Sequence, residues 1–215
     1  MILYGYFRSS AAYRVRIAMN LKNLTPEQRS VHLLKKLNLA PAYKAVNPQG
    51  LVPYLIDDDF HLSQSLAIIE YLDELHPEPP LLPKNIHDRA AARAIAQLIA
   101  CDIHPLNNTR ILSYLSDKLQ VSDAQKASWY CHWIHEGFTA LETILANRKT
   151  PGAFCVGDSP TIADICLIPQ IANANRFKCS LDTFPHIMAV AHHAQKLPAF
   201  IAAEPSRELL KTPSL

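Results

Sequence analysis

Glycine is scarce in this chain, and its scarcity argues against a large group of nucleotide-binding proteins. The five glycines lie far apart, whereas a Walker or Rossmann phosphate loop needs clustered backbone N–H groups. Long hydrophobic runs are also missing, since no apolar stretch approaches the roughly 20 residues that span a bilayer. Met1 leads directly into a strand-like segment, without the charged region and apolar core of a signal sequence. We therefore expect a cytoplasmic protein with neither a nucleotide loop nor a membrane partner.

Neither sign of charge is in excess, which argues against a nucleic-acid partner. The formal net charge is +2, and Lys and Arg are spread evenly, so no basic face follows a phosphate backbone. Metal-ligand spacing is also lacking. Cys131, His132 and His135 do not match the HExxH pattern, and His192 and His193 point to different faces of a helix. A small molecule is the expected partner, without a bound metal.

The cysteines show no recognisable disulfide or redox pattern. Their number is odd, no CxxC pair occurs, and most lie in apolar stretches with helical spacing. They are Cys101, Cys131, Cys155, Cys166 and Cys179. We therefore expect reduced, buried thiols and no disulfide framework.

The first eighty residues alternate between strand and helix patterns. The pattern predicts strands over residues 2–6, 29–34, 51–56 and 60–62, with helices over 12–23, 41–45 and 65–76. The Asp57-Asp58-Asp59 turn joins the last two strands. This order, βαβ followed by ββα, is typical of a thioredoxin-like domain.

A proline-rich stretch, HPEPPLLP at residues 76–83, predicts a linker because proline sustains neither a helix nor a central strand. Beyond it, helical spacing runs over residues 91–119, 123–147, 161–175 and 187–197. Thr161 and Asp164 predict a capping box at the start of the third of these helices. The chain is 49% hydrophobic, which is enough to build two cores. We predict an α/β thioredoxin-like domain at residues 1–80 and an all-helical domain at 86–215.

The segment RSSAAYRVRIAMNLK, residues 8–22, places Ser9 and Ser10 where a strand ends and an amphipathic helix begins. At a helix N-terminus, a hydroxyl group, free backbone N–H groups and the helix dipole together stabilise a thiolate. The alternative is a plain N-cap, in which a serine accepts a hydrogen bond from the first turn. Taken alone, the segment favours the cap.

The segment NPQGLVPYL, residues 47–55, opens a strand with Val52 and Pro53. A cis bond between these two residues turns the Val52 backbone outward, where it pairs with a peptide ligand as an added strand does. The alternative is an ordinary trans proline at the edge of a sheet. From this segment alone the trans proline is favoured.

Gln64 and Ser65 open a strongly patterned helix in HLSQSLAIIEYLDE. With Ser65 as N-cap, its hydroxyl, the first-turn N–H groups and the Gln64 amide form a site for a ligand carboxylate. The alternative is that Ser65 only caps the helix and Gln64 is solvated. The segment does not decide between these two interpretations.

Together, these three segments resemble in order and spacing the glutathione-binding half of the glutathione transferases. YGYFRSSAAYRVRIAMNLK also resembles the zeta-class signature, an SSC-type motif followed by an aromatic residue and RVRIAL. The resemblance continues through CDIHPLNNTRIL and VGDSPTIADICLIPQIANANRF to LDTFP, and so covers essentially the whole chain. It implies the glutathione transferase fold, a thioredoxin-like domain that binds glutathione plus an all-α domain for the second substrate, and a homodimer.

One residue departs from the zeta-class pattern. Ala11 stands where the class usually has a cysteine after the paired serines. No chemistry therefore rests on a protein thiol at this position, and the thiolate is that of glutathione itself. Bacterial maleylpyruvate isomerases, which the sequence also resembles, likewise lack this cysteine.

The resemblance assigns site residues in both domains, and from the residues alone most of them are ordinary surface or helix-kink positions. The implied glutathione-binding residues are Ser9, Ser10, Gln49, Val52, Pro53, Gln64, Ser65, His104 and Asn108. The implied substrate-binding cations are Arg8, Arg110 and Arg176. Among all of these, the implied catalytic residues are Ser9, Ser10, Arg8 and Arg176. The planar guanidinium fork of arginine suits a dicarboxylate keto-acid substrate.

The zeta-class resemblance implies isomerisation of maleylacetoacetate to fumarylacetoacetate in tyrosine and phenylalanine breakdown. The glutathione thiolate adds to the cis double bond, the bond rotates, and elimination of the thiolate gives the trans product. Maleylpyruvate is an alternative substrate of similar shape. General glutathione conjugation and a non-catalytic binding module are further alternatives.

Overall fold

A computed structural model describes residues 1–148 and 152–207. The chain divides into two compact units, one formed by Met1–Leu81 together with the segment from Lys196 onward, the other by Leu82–Gln195. No helix of the described residues is both long enough and apolar enough to cross a membrane.

The first unit is built on a four-stranded sheet. Its elements are β1 (Ile2–Gly5), α1 (Ser10–Leu21), β2 (Glu27–Ser30), α2 (Pro41–Val46), β3 (Tyr54–Asp57), β4 (Phe60–Ser63) and α3 (Ser65–Leu75). The strand order is β2-β1-β3-β4, with β1 parallel to β2 and the other two pairs antiparallel. The predicted thioredoxin-like arrangement is therefore confirmed.

Two strands differ from their predicted bounds. The strand predicted over residues 29–34 is β2, an exposed edge strand that ends at Ser30. Val31 and Leu33 had suggested a longer strand, but they pack instead against a buried cluster that contains Tyr43 of α2. The strand predicted over 51–56 begins at Tyr54, after Pro53, since proline has no N–H group for the ladder.

The second unit is helical throughout its regular elements. Its α-helices are α4 (Ile86–Gln97), α5 (Thr109–Asp117), α6 (Asp123–Ala146), α7 (Ile162–Arg176) and α8 (Pro185–Ala194). The helix predicted over 91–119 is interrupted by a π-helical segment, Leu98–Ile103, and a 3₁₀ turn, His104–Asn107. Pro105 explains the interruption, because its ring removes an N–H group and clashes with the preceding turn.

The capping box predicted at the start of α7 is confirmed. The Asp164 carboxylate accepts hydrogen bonds from the Thr161 N–H at 2.8 Å and the Cys155 N–H at 2.8 Å. Asp164 is fully buried, and burial raises the pKa of its carboxyl group above the usual range, while these hydrogen bonds oppose the rise. Asp164 therefore joins the start of α7 to the preceding loop.

The segment from Lys196 onward belongs to the first unit, although the sequence predicted it as part of the domain at 86–215. It contains α9 (Pro198–Ala202), which packs on α1. The Arg16 guanidinium donates from Nε and Nη2 to the Ala203 carbonyl at 3.1 and 3.0 Å, and Asn20 donates to the Ala199 carbonyl at 2.9 Å. These side chain to backbone bonds join positions almost 190 residues apart, and local sequence patterns carry no signal for them.

The expectation of reduced thiols is wrong for two of the five cysteines. Cys131 of α6 and Cys179, just beyond α7, form a disulfide, with their Cα atoms 5.3 Å apart. Cys101, Cys155 and Cys166 form no disulfide within the described residues; the first is exposed and the other two are buried. The pair is separated by 48 positions, so no spacing motif in the sequence reveals it.

Candidate active site

The start of α1 presents a serine pair at the positive end of a helix. Ser9 is the N-cap, and its Oγ accepts a hydrogen bond from the Ala12 N–H at 3.2 Å. The cap interpretation of Ser9 is therefore confirmed. A hydroxyl group that accepts in this way keeps its hydrogen for a second partner. Because the first turn of α1 carries no acidic residue, the helix dipole is not neutralised there.

Arg8 adds a positive charge next to this serine pair. Its side chain is exposed, and its guanidinium lies 5.1 Å from the centre of the Phe7 ring. Stacking on an aromatic ring limits the range of positions that an exposed arginine samples. A cation, a helix N-terminus and a serine hydroxyl therefore lie within three consecutive residues.

Val52 and Pro53 are joined by a cis peptide bond, so the trans proline that the segment alone favoured is wrong. Neither the N–H nor the C=O group of Val52 has a hydrogen-bond partner within residues 1–148 and 152–207. The adjacent Leu51 carbonyl, in contrast, accepts from the Tyr43 hydroxyl at 2.7 Å and the Asn47 amide at 2.8 Å. The loop is thus anchored beside Val52 and leaves the Val52 backbone groups unpaired.

Gly50 shapes this loop. It has φ +63, a conformation that L-residues with a side chain rarely adopt. A Cβ atom at this position would also lie only 2.8 Å from the Asn38 carbonyl oxygen. The approach of the loop to Asn38 therefore requires glycine.

The start of α3 differs from its prediction. Gln64 occupies the cap position with φ +73 and makes no side-chain cap bond, whereas Ser65 is the first helical residue. The Ser65 Oγ accepts a hydrogen bond from Arg14 Nη1 at 3.3 Å, so the predicted N-cap role of Ser65 is wrong. The exposed Gln64 amide donates to Gln49 Oε1 at 3.2 Å, which brings these two predicted site residues together.

Arg14 is a candidate site residue that sequence reasoning missed. Its side chain is only 1% exposed, yet it carries a guanidinium group from α1 to the first turn of α3. A buried cation beside free helical N–H groups strengthens the attraction for a carboxylate. Arg14 is the first arginine of the RVRIA stretch, which is the only sequence signal for it. Its contact with Ser65 joins positions 51 residues apart, which a local pattern does not reveal.

His104, Asn108 and Arg110 lie close together along the chain in the second unit. His104 is half-buried and begins the 3₁₀ turn; Asn108 is the N-cap of α5, with its Oδ1 accepting from the Arg110 N–H at 3.1 Å. The Arg110 side chain is exposed. The turn is held on α6 by Trp129, whose indole N–H donates to the Leu106 carbonyl at 2.9 Å.

Arg176 is the last residue of α7, and its side chain is exposed. Its guanidinium lies 5.1 Å from the centre of the Phe177 ring, and its charge acts on the Tyr130 hydroxyl group. Burial raises the pKa of that hydroxyl, and the charge of Arg176 opposes the rise. Phe177 and Tyr130 are therefore the aromatic neighbours of Arg176 within the second unit.

Comparison with known proteins identifies the family. The family model described as "Glutathione S-transferase, N-terminal domain" matches residues 3–80, and the model of the C-terminal domain matches 108–203. A protein from Vibrio cholerae named "Probable maleylacetoacetate isomerase" is 48% identical over 210 residues, which cover 97% of each chain. The chain belongs to the glutathione S-transferase family.

Solved structures confirm the resemblance to the zeta class. A structure described as holo maleyl pyruvate isomerase, a bacterial glutathione S-transferase in the zeta class, superposes with a TM-score of 0.95 at 44% identity. The match covers 96% of this chain and 98% of that one. A maleylacetoacetate isomerase from Methylobacterium extorquens AM1 with bound malonate and glutathione has a TM-score of 0.94 at 37% identity. That match covers 96% of this chain and 97% of the other.

Proposed function

We propose that this protein is a cytoplasmic, homodimeric, glutathione-dependent isomerase that converts maleylacetoacetate to fumarylacetoacetate in aromatic amino acid breakdown. The observation that carries this proposal is the start of α1, where Ser9, Ser10 and an unneutralised helix N-terminus are ready to hold a thiolate. Ala11 provides no protein thiol there. A site that stabilises a thiolate but has none of its own requires a thiol cofactor.

The residues of the first unit fit glutathione. When bound, glutathione supplies the thiolate that adds to the cis double bond and is later eliminated. Ser9 and Ser10 donate hydrogen bonds to sulfur, and Val52 pairs its free backbone groups with the cysteinyl residue of the cofactor. Gln49, Gln64 and Ser65 hold the γ-glutamyl end. The proposal also assigns Pro53, which fixes the Val52 backbone, and takes His104 and Asn108 as further cofactor ligands.

Arg8, Arg110 and Arg176 bind the substrate in this proposal. The substrate is a dicarboxylate, and the related isomerase from Methylobacterium extorquens holds malonate, a smaller dicarboxylate. Arg176 fixes one carboxylate with its guanidinium fork, which restricts the orientation of the reacting bond. Arg8, next to the serine pair, stabilises the negative charge that develops on the keto oxygen when the thiolate adds.

An assay with maleylacetoacetate, with and without glutathione, tests the proposed function when it is coupled to fumarylacetoacetate hydrolase. We expect catalytic turnover that requires glutathione but consumes none of it. Maleylpyruvate is the second candidate substrate because of the zeta-class neighbour named for it, and the ratio of the two kcat/KM values decides between them. Conjugation of an aromatic halide without any isomerisation would contradict both and identify a general transferase.

Ser9→Gly is expected to raise the pKa of the bound glutathione thiol and to lower kcat at neutral pH by roughly tenfold, because a donor to the thiolate is lost. Glycine serves nearly as well as serine at an N-cap, at a cost of only a few tenths of a kcal/mol. The ultraviolet absorbance of the thiolate, titrated with pH, measures the change.

Ser10→Ala is the matched variant, since it removes the neighbouring hydroxyl and leaves the cap intact. The serine that contacts sulfur is the one whose loss raises the thiol pKa. An unchanged thiol pKa in both variants and in the double variant would contradict the proposed role of the pair.

Arg14→Met is expected to raise the KM for glutathione about tenfold, because the Ser65 hydroxyl loses its cationic partner and the first turn of α3 loses a buried positive charge. The informative comparison is with γ-aminobutyryl-cysteinyl-glycine, an analogue without the γ-glutamyl α-carboxylate. The variant and the original protein should bind this analogue equally well. A similar loss for both peptides would mean that Arg14 acts only on the fold.

A further inference from the structure

The five residues 176–180, which we call the Arg176 arm, are tied to α6 at several points. The Phe177 ring stacks on the Tyr130 ring with a centroid distance of 3.6 Å and an interplanar angle of 11°. The Arg176 guanidinium lies 5.1 Å from the centre of the Phe177 ring, on the arm that this stack holds. Tyr130 is only 1% exposed, so this part of α6 provides a fixed support for the start of the arm.

The far end of the arm is held by a covalent bond and a hydrogen bond. Cys179 is joined to Cys131, the residue after Tyr130 on α6. One helical turn further on, a ring nitrogen of His135 forms a 2.8 Å hydrogen bond with the Ser180 carbonyl. The disulfide therefore lies in the middle of the contacts that hold the arm.

The backbone reverses direction within the arm, so a movement at one end of the arm also moves the other end. Lys178 has φ +57, and the Cys179 N–H donates back to the Ala174 carbonyl at 3.0 Å. The last turn of α7 and the disulfide thus share the same short loop. Arg176 lies three residues before Cys179 in the chain, so a change in the position of Cys179 also shifts Arg176.

We propose that Tyr130 and the Cys131–Cys179 disulfide are positioning residues for Arg176, and that opening the disulfide weakens the binding of dicarboxylates while leaving glutathione binding unchanged. This inference rests on the proposed role of Arg176 as a carboxylate ligand. A guanidinium group that is already oriented loses less conformational freedom when it binds a carboxylate. Freed from the disulfide, the arm samples more positions and this advantage is lost.

The disulfide opens by exchange with a thiol. Cys131 is partly exposed whereas Cys179 is buried, so an incoming glutathione thiolate attacks the Cys131 sulfur. The disulfide bond breaks, Cys179 leaves as a thiolate and takes up a proton, and a mixed disulfide remains on Cys131. A second glutathione thiolate attacks the glutathione sulfur of this mixed disulfide and releases Cys131. The protein disulfide is reduced, and two glutathione molecules are oxidised to one glutathione disulfide.

Calorimetric titration of malonate into protein loaded with S-methylglutathione, which has no free thiol to open the disulfide, tests the proposal. We expect malonate to bind about tenfold more weakly after reduction with a phosphine, which opens the disulfide without forming a thiol adduct. Phe177→Leu, which removes the ring stack on Tyr130 but leaves both cysteines in place, should weaken malonate binding in the oxidised protein. Arg176→Ala should bind malonate weakly in both states. Equal malonate affinity before and after reduction overturns the proposal. A loss of malonate affinity on reduction that is equally large in Arg176→Ala also overturns it, because the disulfide would then act through a group other than Arg176.

Three measurements separate this proposal from a general structural effect and from the proposed function. The affinity for S-methylglutathione should stay the same in both redox states, whereas a loosened fold would change it. Cys101→Ser, which removes the exposed free thiol, should respond to reduction as the original protein does. A protein that binds malonate in a redox-dependent way but does not isomerise maleylacetoacetate would contradict the proposed function alone. Failure of the oxidised protein to bind malonate would overturn the positioning proposal.

Discussion

Arg176→Ala is expected to lower kcat/KM for maleylacetoacetate by roughly 10²- to 10³-fold, while the affinity for glutathione changes less than about twofold. Loss of one partner from a hydrogen-bonded charge pair costs about 2–5 kcal/mol, much of it because the remaining charge is left without a partner. Here the remaining charge is a substrate carboxylate. Arg176 is not among the proposed ligands of glutathione, so glutathione keeps all of them. Steady-state kinetics and titration of glutathione measure the two quantities separately.

Lys178→Ala provides the matched control, because it removes an exposed cation two residues from Arg176 and should leave both constants unchanged. Arg176→Lys keeps the charge but not the planar fork and should recover only part of the lost activity. Equal losses of substrate turnover and glutathione affinity in Arg176→Ala would contradict the assignment. Arg176 would then support the fold and would not bind substrate.

Loss of the Cys131–Cys179 disulfide is expected to lower the free energy of unfolding by about 4 kcal/mol. The bond closes a loop over a sequence separation of 48, and a cross-link of this span restricts the unfolded chain by roughly this amount. Such a loss is a large share of the stability of a typical domain. Urea denaturation of the oxidised protein and of Cys131→Ser/Cys179→Ser measures it.

Phosphine reduction of the original protein should reproduce the behaviour of the double serine variant, and Cys101→Ser should not shift the denaturation midpoint. The m-value should rise on loss of the bond, because the unfolded chain without the cross-link exposes more surface. Alkylation and mass measurement confirm the thiol state of each sample. Denaturation midpoints that coincide with and without the bond would contradict a stabilising role for the disulfide.

Local sequence signals were sufficient for most of the fold. Alternating strand and helix patterns predicted the order of elements up to residue 80, and Thr161 with Asp164 marked the start of α7. These features depend on neighbours a few residues apart, so the sequence carries them directly. The edge strand β2 was misplaced because Val31 and Leu33 have the β-branched or apolar character of a strand but serve a core cluster. Tertiary packing overrode the local preference there.

Long-range contacts account for what the sequence did not reveal about the site. The N-cap role of Ser9 was recognised from its own segment, whereas the cis Val52–Pro53 bond was the less favoured of two interpretations of its segment. The bond from Arg14 to Ser65 and the disulfide between Cys131 and Cys179 join segments 51 and 48 positions apart. Only the folded chain brings these residues together. Ser65 was accordingly misread as a cap, and the two cysteines as free thiols.

The docking of α9 on α1 has a consequence for the order in which the protein can assemble. The first unit uses both ends of the described chain, since the Ala203 carbonyl completes the hydrogen bonding of the buried Arg16 guanidinium. A ribosome releases residues 1–81 long before Ala203 is made, so the helix that carries Ser9 and Ser10 reaches its final environment only after residues 82–195 have been made. The second unit, continuous in sequence, completes its own set of helices first.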